Sequence, residues 1–378
     1  MRKKIIKIQN DHPLVLKISE LIENGRRQAS VAVNLSMVYT YFEIGRMIVE
    51  DEQRGEKRAE YGKDILKYLG IKLTENFGKG FSERNLRNMR QFYQVYSDRT
   101  IWQKPSAKLR IESKKAAPIR QKPSSESPRF TLGWSHYLVL MRIENPDERR
   151  FYEIEAQAQH WSEPHLKRQF HSSLYERLAL SRNKQEVLKL AHKGHSVEKA
   201  TDFLKNPLTL EFLGLQENSA YSENDLETAI ISKLQLFLLE LGKGFLFETR
   251  QKRFTFDNQH FFVDLVFYNR LLQCYVLIDL KTDKLLHQDL GQMQMYVNYF
   301  DRYEKKEFEK PTIGILLCKK KNDALVELTL PKNSNIYASE YSLYLPDKTL
   351  LQRKLAEWIA EFEREKEMRM RLAGLKNE

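Results

Sequence analysis

Cysteine is almost absent from this 378-residue chain. The two cysteines, Cys274 and Cys318, are far apart in sequence, and neither belongs to a CxxC pair. A disulfide framework or a cysteine-based zinc site is therefore not expected, and the composition fits a reducing compartment.

Long apolar runs are also missing. No stretch approaches the roughly 20 apolar residues that a membrane span requires, and MRKKIIKIQNDHPLVLKI contains no apolar core of signal-peptide length. No glycine motif of the Walker or Rossmann type occurs, which argues against nucleotide-driven translocation. We therefore expect a cytoplasmic protein with no membrane partner.

Positive charge is present in excess. The chain has 63 Lys and Arg against 51 Asp and Glu, and its formal net charge is +12. Such an excess suits a polyanionic partner, most simply nucleic acid, although it could also serve solubility alone. With 41% apolar residues, the chain is long enough for two or three domains that each bury a core.

Composition and periodicity divide the chain into five parts. Apolar residues recur at helical spacing before and after a segment rich in Lys, Arg, Ser and Pro, whereas strand patterns dominate later. The predicted parts are a helical domain at 1–102, a basic linker or loop at 103–130, a helical middle region at 131–215, an α/β domain at 216–348 and an amphipathic helix at 349–378.

Strands joined first by hairpins and then through a helix indicate a mixed sheet in the α/β domain. The helix NDLETAIISKLQLFLLEL comes first and is expected to end at Gly242. The predicted later elements are strands at 245–256, 260–268, 274–281 and 311–318 and a helix at 287–300.

The last predicted helix has one apolar face. It is expected either to dock on its own domain or to form the contact of a homodimer. Its apolar residues are Leu351, Leu355, Trp358, Ile359 and Phe362.

Charged residues interrupt two apolar strands in VDLVFYNRLLQCYVLIDLKTDK, residues 263 to 284. A hairpin that turns between Leu271 and Leu272 would place Asp264 directly opposite Asp279, with Cβ atoms about 5 Å apart. Lys281 would share that face, about 7 Å along the strand. The simplest alternative is an ordinary ion pair between an aspartate and the lysine at a sheet end.

Two carboxylates in such apolar surroundings repel each other unless a cation joins them. Mg²⁺ prefers oxygen ligands, and Mn²⁺ is possible as well, so Asp264, Asp279 and the backbone carbonyl of Leu280 form a plausible partial shell. Lys281 would lie where its amine orients or helps to deprotonate the attacking water and offsets charge on the phosphate.

These residues resemble the PD-(D/E)XK nuclease signature, whose core is a mixed sheet flanked by helices, the restriction-endonuclease-like fold. The resemblance implies that Glu227, on the helix before the hairpin, is a further catalytic acid. Gln292 and Tyr296 are similar to the QxxxY pattern of the RecB-like branch, where they would position the backbone or the lysine. Asp279 stands where this family more often has Glu, which shortens the arm by one methylene.

The resemblance extends beyond the core. The segments LLELGKGF, RQKRF, GQMQMYVNYF and IGILLC look like the C-terminal domain of the bacterial YhcG-type proteins, and LGWSHYLVLMRI and SSLYERLALS look like their central part. That family implies a winged-helix-like, DNA-binding N-terminal domain before the nuclease domain.

The strand that enters the hairpin adds three polar candidates. Glu248 is expected either near the metal site or paired with Arg250 on the surface. Arg250 and Gln251 are candidate contacts to a phosphate, or else solvated residues at the edge of the sheet.

A second candidate site lies in residues 61–96, which read as two helices joined by a glycine-containing turn, with Ser82 as the N-cap of the second. Leu86, Met89 and Tyr93 are expected to face the core. A polar stripe on another side suits a helix-turn-helix that reads bases, since Arg, Asn and Gln make bidentate contacts to base edges; a solvated helix face is the alternative. The stripe consists of Arg84, Arg87, Asn88 and Gln91.

Together these features favour a Mg²⁺-dependent DNA nuclease with an N-terminal DNA-binding region. The main alternative is a catalytically inactive, DNA-binding regulatory or accessory protein on a nuclease fold. A protein-interaction scaffold is a third possibility, and it predicts weak DNA binding without steep salt dependence.

Overall fold

A computed structural model describes residues 13–54, 59–97, 130–180, 190, 192–205, 207–215, 221–331, 333–357, 360 and 364. The chain divides into two compact units, residues 1–149 and 150–378, which are treated separately below. In the described part of the chain, no helix is both long enough and apolar enough to cross a membrane.

The described elements of the first unit are helices, as predicted. They include α1 (Pro13–Arg54), α2 (Ala59–Phe77), α3 (Glu83–Tyr96) and α4 (Trp134–Leu140). Helices α1 and α3 cross closely at Gly45, where a Cβ atom would lie only 2.1 Å from the backbone oxygen of Met89. A residue without a side chain is therefore needed at this crossing.

The turn between α2 and α3 is the one predicted. Ser82 caps α3, and its Oγ accepts a hydrogen bond from the backbone N–H of Asn85. Leu86 and Met89 are fully buried, as expected, whereas Tyr93 is only half-buried. No β-strand that could serve as a wing occurs among residues 13–54, 59–97 and 130–149.

The predicted basic linker at 103–130 lies outside the described residues except for its last member. Phe130 is buried, and its ring lies 4.8 Å from that of Phe92 and 5.3 Å from that of Tyr137. Placing Phe130 in an exposed linker was therefore wrong, because this aromatic residue packs in the core of the first unit.

The second unit begins within helix α5 (Pro146–Ala158) and continues with α6 (Glu163–His171) and α7 (Leu174–Leu180). Farther along the chain lie α8 (Glu223–Ser232) and α9 (Leu234–Leu241). The sequence predicts one continuous helix here, but the backbone leaves helical geometry at Lys233, with φ −120° and ψ 27°. Because of this break, the buried face of α9 does not have to continue the buried face of α8.

Six strands form one mixed sheet in the order β1-β6-β5-β4-β3-β2. Strands β2, β3 and β4 pair antiparallel, and β4, β5, β6 and β1 pair parallel. The four predicted strands are confirmed; β1 and β6 were not predicted. The strands are β1 (Leu208–Thr209), β2 (Phe245–Phe256), β3 (Gln259–Asn269), β4 (Cys274–Lys284), β5 (Ile313–Lys320) and β6 (Ile336–Ser342).

Strand β1 lies within 131–215, the region predicted as helical only, so the sheet recruits chain from before residue 216. Its two residues are buried and pair with Tyr341 and Ser342 of β6. A strand this short has no periodicity of its own, and only its parallel partner defines it.

Helices cover both faces of the sheet. Leu226 and Phe237 of α8 and α9 pack on one face. Met293 and Val297 of α10 (His287–Tyr299) pack on the other. Helix α10 approaches β5 so closely that a Cβ at Gly314 would lie 2.6 Å from the sulfur of Met293. Helix α11 (Asp323–Thr329) then joins β5 to β6.

The C-terminal helix is described over residues 348–357, and at 360 and 364. Leu355 of its predicted apolar face is buried within this single chain, which agrees with docking on its own domain. Three predicted members of that face lie outside the residues whose side chains are described: Trp358, Ile359 and Phe362. A homodimer contact stays a prediction.

Candidate active site

The predicted hairpin register is confirmed. Strands β3 and β4 pair from Asn269 with Cys274 up to Leu265 with Ile278, so the turn is centred between Leu271 and Leu272. The side-chain Oδ1 of Asn269 accepts hydrogen bonds from the N–H groups of both leucines and holds the turn. If this register is continued by one residue past the last backbone-paired residues, Asp264 lies opposite Asp279.

Beyond Leu265 and Ile278, strands β3 and β4 are no longer paired through their backbones, and the side chain of Asp264 accepts a hydrogen bond instead. Oδ2 of Asp264 accepts a hydrogen bond of 2.8 Å from the backbone N–H of Leu280. In an extended strand the N–H and C=O of one residue point to the same side, so the Leu280 carbonyl also faces the gap between β3 and β4. The predicted oxygen donors thus lie around one gap.

Asp279 is buried beside a single lysine. It is only 3% exposed, and its Oδ2 lies 2.9 Å from Nζ of Lys281. The same ammonium group lies 3.5 Å from Glu223 at the start of α8. Glu223 was not predicted as a site residue, although its spacing of four from Glu227 places both on one face of the helix.

The pKa values reflect this crowding. Burial raises the pKa of Asp279 from 3.8 to about 7; the charge of Asp264 adds to the effect, and Lys281 only partly offsets it. Burial alone would lower the pKa of Lys281, but Asp279 and Glu223 raise it above its usual range. Lys281 is therefore an ammonium group at neutral pH, so it can donate hydrogen bonds but cannot act as a base.

Glu227 is linked to Asp264 through Gln251. The Nε2 group of Gln251 donates hydrogen bonds to Oε2 of Glu227 and, at 3.1 Å, to Oδ1 of Asp264. Burial raises the pKa of Glu227, which the Gln251 hydrogen bond counteracts and the charge of Asp264 reinforces. The expectation that Gln251 contacts a phosphate is therefore corrected, because its amide group is occupied by two carboxylates.

Arg250 remains on the surface. Its guanidinium lies 3.9 Å from Oε1 of Glu227, and the side chain is 54% exposed. Contact with a phosphate thus stays a prediction for Arg250.

Helix α10 contributes the next two predicted residues. Nε2 of Gln292 donates a hydrogen bond to the hydroxyl of Tyr296, which is almost fully buried. Burial raises the pKa of Tyr296 to about 12, and the charges of Asp279 and Asp264 contribute. Tyr296 therefore carries a neutral hydroxyl that the charges of Asp279 and Asp264 influence.

Glu248 does not join the site, and neither of its two predicted placements holds. It sits at the irregularity where the register of β2 with β3 shifts between Phe247 and Thr249. Burial raises its pKa, and the charges that act on it are those of Lys252, Glu304 and Glu309. Neither Asp264 nor Arg250 is among the charges that act on Glu248, which lies at the extra residue of the bulge.

The donor set suits a hard divalent cation. Two carboxylates and a carbonyl converge on the gap, all of them oxygen ligands of the kind that Mg²⁺ prefers. Among the described residues, no three His, Cys, Asp or Glu side chains form a ready-made metal cluster. Lys281 and Gln251 instead occupy the positions beside the aspartates, so the residues fit a partial shell completed by backbone and water.

In the first unit, the predicted stripe on α3 makes contacts of its own. Arg87 forms an ion pair with Glu83, and Nε2 of Gln91 donates a 3.3 Å hydrogen bond to the backbone oxygen of Met141. Arg84 is exposed and Asn88 is half-buried. Base reading by this stripe stays a prediction.

Two family matches together cover most of the chain. Residues 201–356 match the family described as the YhcG PDDEXK nuclease domain, and residues 17–177 match the DUF1016 N-terminal domain. The chain is 38% identical over 345 residues to the Escherichia coli (strain K12) protein named "Putative nuclease YhcG". The aligned region covers 89% of this chain and 92% of that protein.

Two solved structures share a low similarity with the chain. A repair endonuclease from Pyrococcus abyssi is 18% identical with a TM-score of 0.24, and the match covers 35% of this chain and 50% of that one. The structure of an EndoMS complex with double-stranded DNA gives 14% identity and a TM-score of 0.25 over the same shares.

Sequence identity over nearly the full length and the matches to both domains show the same family relationship. The chain belongs to the YhcG family, whose C-terminal domain is a PDDEXK nuclease domain.

Proposed function

We propose that the protein is a divalent-metal-dependent nuclease that hydrolyses phosphodiester bonds in DNA. The observation that carries the proposal is the gap between β3 and β4, where Asp264, Asp279 and the Leu280 backbone meet beside the ammonium group of Lys281. Oxygen donors next to a fixed cation suit a reaction in which negative charge builds up on a phosphate.

Asp264, Asp279 and the Leu280 carbonyl would hold Mg²⁺, or Mn²⁺ in its place. When bound, such an ion supplies Lewis-acid chemistry and neutralises charge at the scissile phosphate. Glu227 would complete the acidic surroundings through a water molecule or a second ion.

Lys281 is the protein's own cation at this site. Because Asp279 and Glu223 keep it protonated, it donates hydrogen bonds to the attacking water or to a phosphate oxygen, and it stabilises the charge that develops in the transition state. Gln292 and Tyr296, which are hydrogen-bonded to each other on α10, would position the backbone or Lys281.

The test is cleavage of duplex and single-stranded DNA in Mg²⁺ or Mn²⁺ by the wild type, Asp279→Asn and Lys281→Met. We expect both variants to lose activity at least 100-fold, since each removes a group that acts on the reacting phosphate. Asp323→Asn, an exposed residue that pairs with Lys321 elsewhere in the unit, serves as the control and is expected to cut normally. Equal cleavage by all four proteins would contradict the assignment.

An inactive, DNA-binding accessory protein is the second candidate. The observation in its favour is the short arm of Asp279, which ends in an ion pair with Lys281. Absence of cleavage in every metal, together with a shift in the mobility of duplex DNA, would support this candidate. Thermal stabilisation by Mn²⁺ that Asp264→Asn abolishes would show that the metal site works even so.

We further propose that the first unit binds DNA through α3. Arg84 is exposed there, Arg87 pairs with Glu83 on the same helix, and the chain as a whole carries a charge of +12. The double variant Arg84→Ala/Arg87→Ala should weaken duplex binding and reduce its salt dependence, measured from 50 to 200 mM salt. Unchanged affinity and salt slope would leave these arginines as a solvated helix face.

A further inference from the structure

Gln251 has a backbone conformation that is unusual for its place in the fold. It lies in the middle of strand β2, yet its φ is +48°. The residues on either side pair normally with β3, Arg250 with Leu265 and Lys252 with Val263. Left-handed backbone at a residue with a long side chain is uncommon, and within a strand it re-aims the side chain.

The side chain that this conformation directs is the link between two acidic residues. The Nε2 group of Gln251 donates one hydrogen bond to Glu227 on α8 and one to Oδ1 of Asp264 on β3. Oδ2 of Asp264 is held by the backbone N–H of Leu280. Two neutral N–H donors thus fix both oxygens of Asp264, one from each neighbouring strand.

The neutrality of the amide group matters for a cation site. Glu227 and Asp264 raise each other's energy when both are ionised, and a hydrogen-bond donor relieves part of that cost. A lysine or arginine in the same place would cancel their charge and compete with an incoming ion. An amide group holds both carboxylates in place and leaves their net charge available.

The sheet could form without the strained backbone and the bridging amide group of Gln251. We therefore expect these two features to serve the carboxylates that they hold. We propose that Gln251 is a positioning residue, which holds the carboxylates of Glu227 and Asp264 in the orientation that receives a divalent cation. This inference rests on the proposed metal-dependent function.

The test compares two substitutions that treat the backbone differently. Gln251→Gly removes the amide group and accepts a positive φ without strain, whereas Gln251→Met removes the amide group but keeps the length and the strain. The matched control is Asn258→Gly in the turn between β2 and β3, where φ is +57° and the side chain is remote from the aspartates. The readout is the Mn²⁺ concentration that gives half-maximal thermal stabilisation of the full chain, with DNA cleavage measured in parallel.

We expect both Gln251 variants to need about 10- to 100-fold more Mn²⁺ than the wild type, the usual effect of removing a residue that orients a metal ligand. Asn258→Gly should match the wild type. If Gln251→Gly binds Mn²⁺ as tightly as the wild type, the proposal is overturned, even if Gln251→Met fails to fold.

The two proposals fail in different ways. A wild type that binds Mn²⁺ without cutting DNA contradicts the nuclease function, yet the comparison of Gln251 variants still decides the positioning role. If the wild type cleaves DNA and neither Gln251 variant changes the Mn²⁺ affinity, only the positioning role is contradicted. A wild type with no response to Mn²⁺ overturns both.

Discussion

Two of the carboxylates buried in the second unit have opposite electrostatic surroundings. Glu240 is fully buried among cations: its oxygens lie 2.5 Å from Arg177 and 3.1 Å from Arg168, with Lys205 close by. Asp279 is buried almost as deeply, but among the described residues it forms an ion pair with Lys281 alone, and the charge of Asp264 repels it.

The pKa values of the two groups move apart accordingly. Burial alone would raise the pKa of Glu240, but the three surrounding cations together hold it well below its usual range. Burial raises the pKa of Asp279 to about 7, and its neighbours do not compensate. The charge of Glu240 is balanced by the cations of α6 and α7. In the candidate active site, the repulsion between Asp264 and Asp279 is not balanced, and a metal ion would relieve it.

The largest effect on stability is expected from Glu240→Gln. Removing this charge leaves Arg177 buried without its counter-ion, whereas Arg168 keeps Glu211, and the change should cost roughly 3–5 kcal/mol of unfolding free energy. Urea unfolding at pH 7 measures the loss. A change below about 1 kcal/mol would show that these arginines find other partners.

Asp279→Asn should act in the opposite direction and stabilise the metal-free protein. The folded-state pKa of Asp279 is about 7, above its ordinary 3.8, so the folded protein binds this proton more tightly than the unfolded chain does. The stability associated with this proton is fully present below about pH 4 and is lost as the pH rises to about 7. The gain from Asp279→Asn should therefore grow over that window and reach about 1–3 kcal/mol at pH 8.

Melting temperatures of the wild type and Asp279→Asn at pH 4, 6 and 8, all in EDTA, provide the measurement. The control is Asp225→Asn in the capping box of α8, where hydrogen bonds from Ser222 lower the pKa of the aspartate, so its loss should destabilise. A gain from Asp279→Asn that does not change with pH would contradict the raised pKa.

Lys281→Met should change stability less than Glu240→Gln does. Without the ammonium group the pKa of Asp279 rises further, so near pH 6 the carboxyl group stays protonated and leaves no unpaired buried charge. We expect a change within about 1 kcal/mol at pH 6 and a larger loss at pH 9. Equal losses at both pH values would mean that the lysine matters through packing.

The smallest effect on stability is expected from an exposed ion pair. Arg87 and Glu83 lie four residues apart on α3, and the Arg87 side chain is 54% exposed. Arg87→Ala should cost only about 0.3–0.5 kcal/mol, and high salt should remove the difference. Thermal unfolding at 0.05 and 1 M salt tests this; a loss above about 1 kcal/mol would show that the pair is not a simple surface contact.

Much of the sheet domain could be predicted because its signals are local. The spacing of apolar residues indicates β2 to β5 and α10, and the distance along the chain from Asp264 to Asp279 defines the hairpin register. Ser82 marks the start of α3 for the same reason, since a cap acts within one helical turn.

Other features had no such signal. Strand β6, IYASEYS, mixes apolar and polar residues and is defined by parallel partners from distant parts of the chain. The break at Lys233 interrupts a sequence of good helix formers, so only packing explains it. The segment RQK reads as an exposed basic edge, and nothing in it indicates the left-handed backbone of Gln251.

The sequence by itself determined which residues face one another across the hairpin, because side chains in a strand alternate with a period of two and a tight turn leaves no freedom in the register. Only the tertiary structure decided which other groups meet them. Gln251 joins Glu227 to Asp264, and Glu240 gathers Arg177 from 63 residues away, because each contact depends on how separate elements pack and on the buried charges that packing brings together.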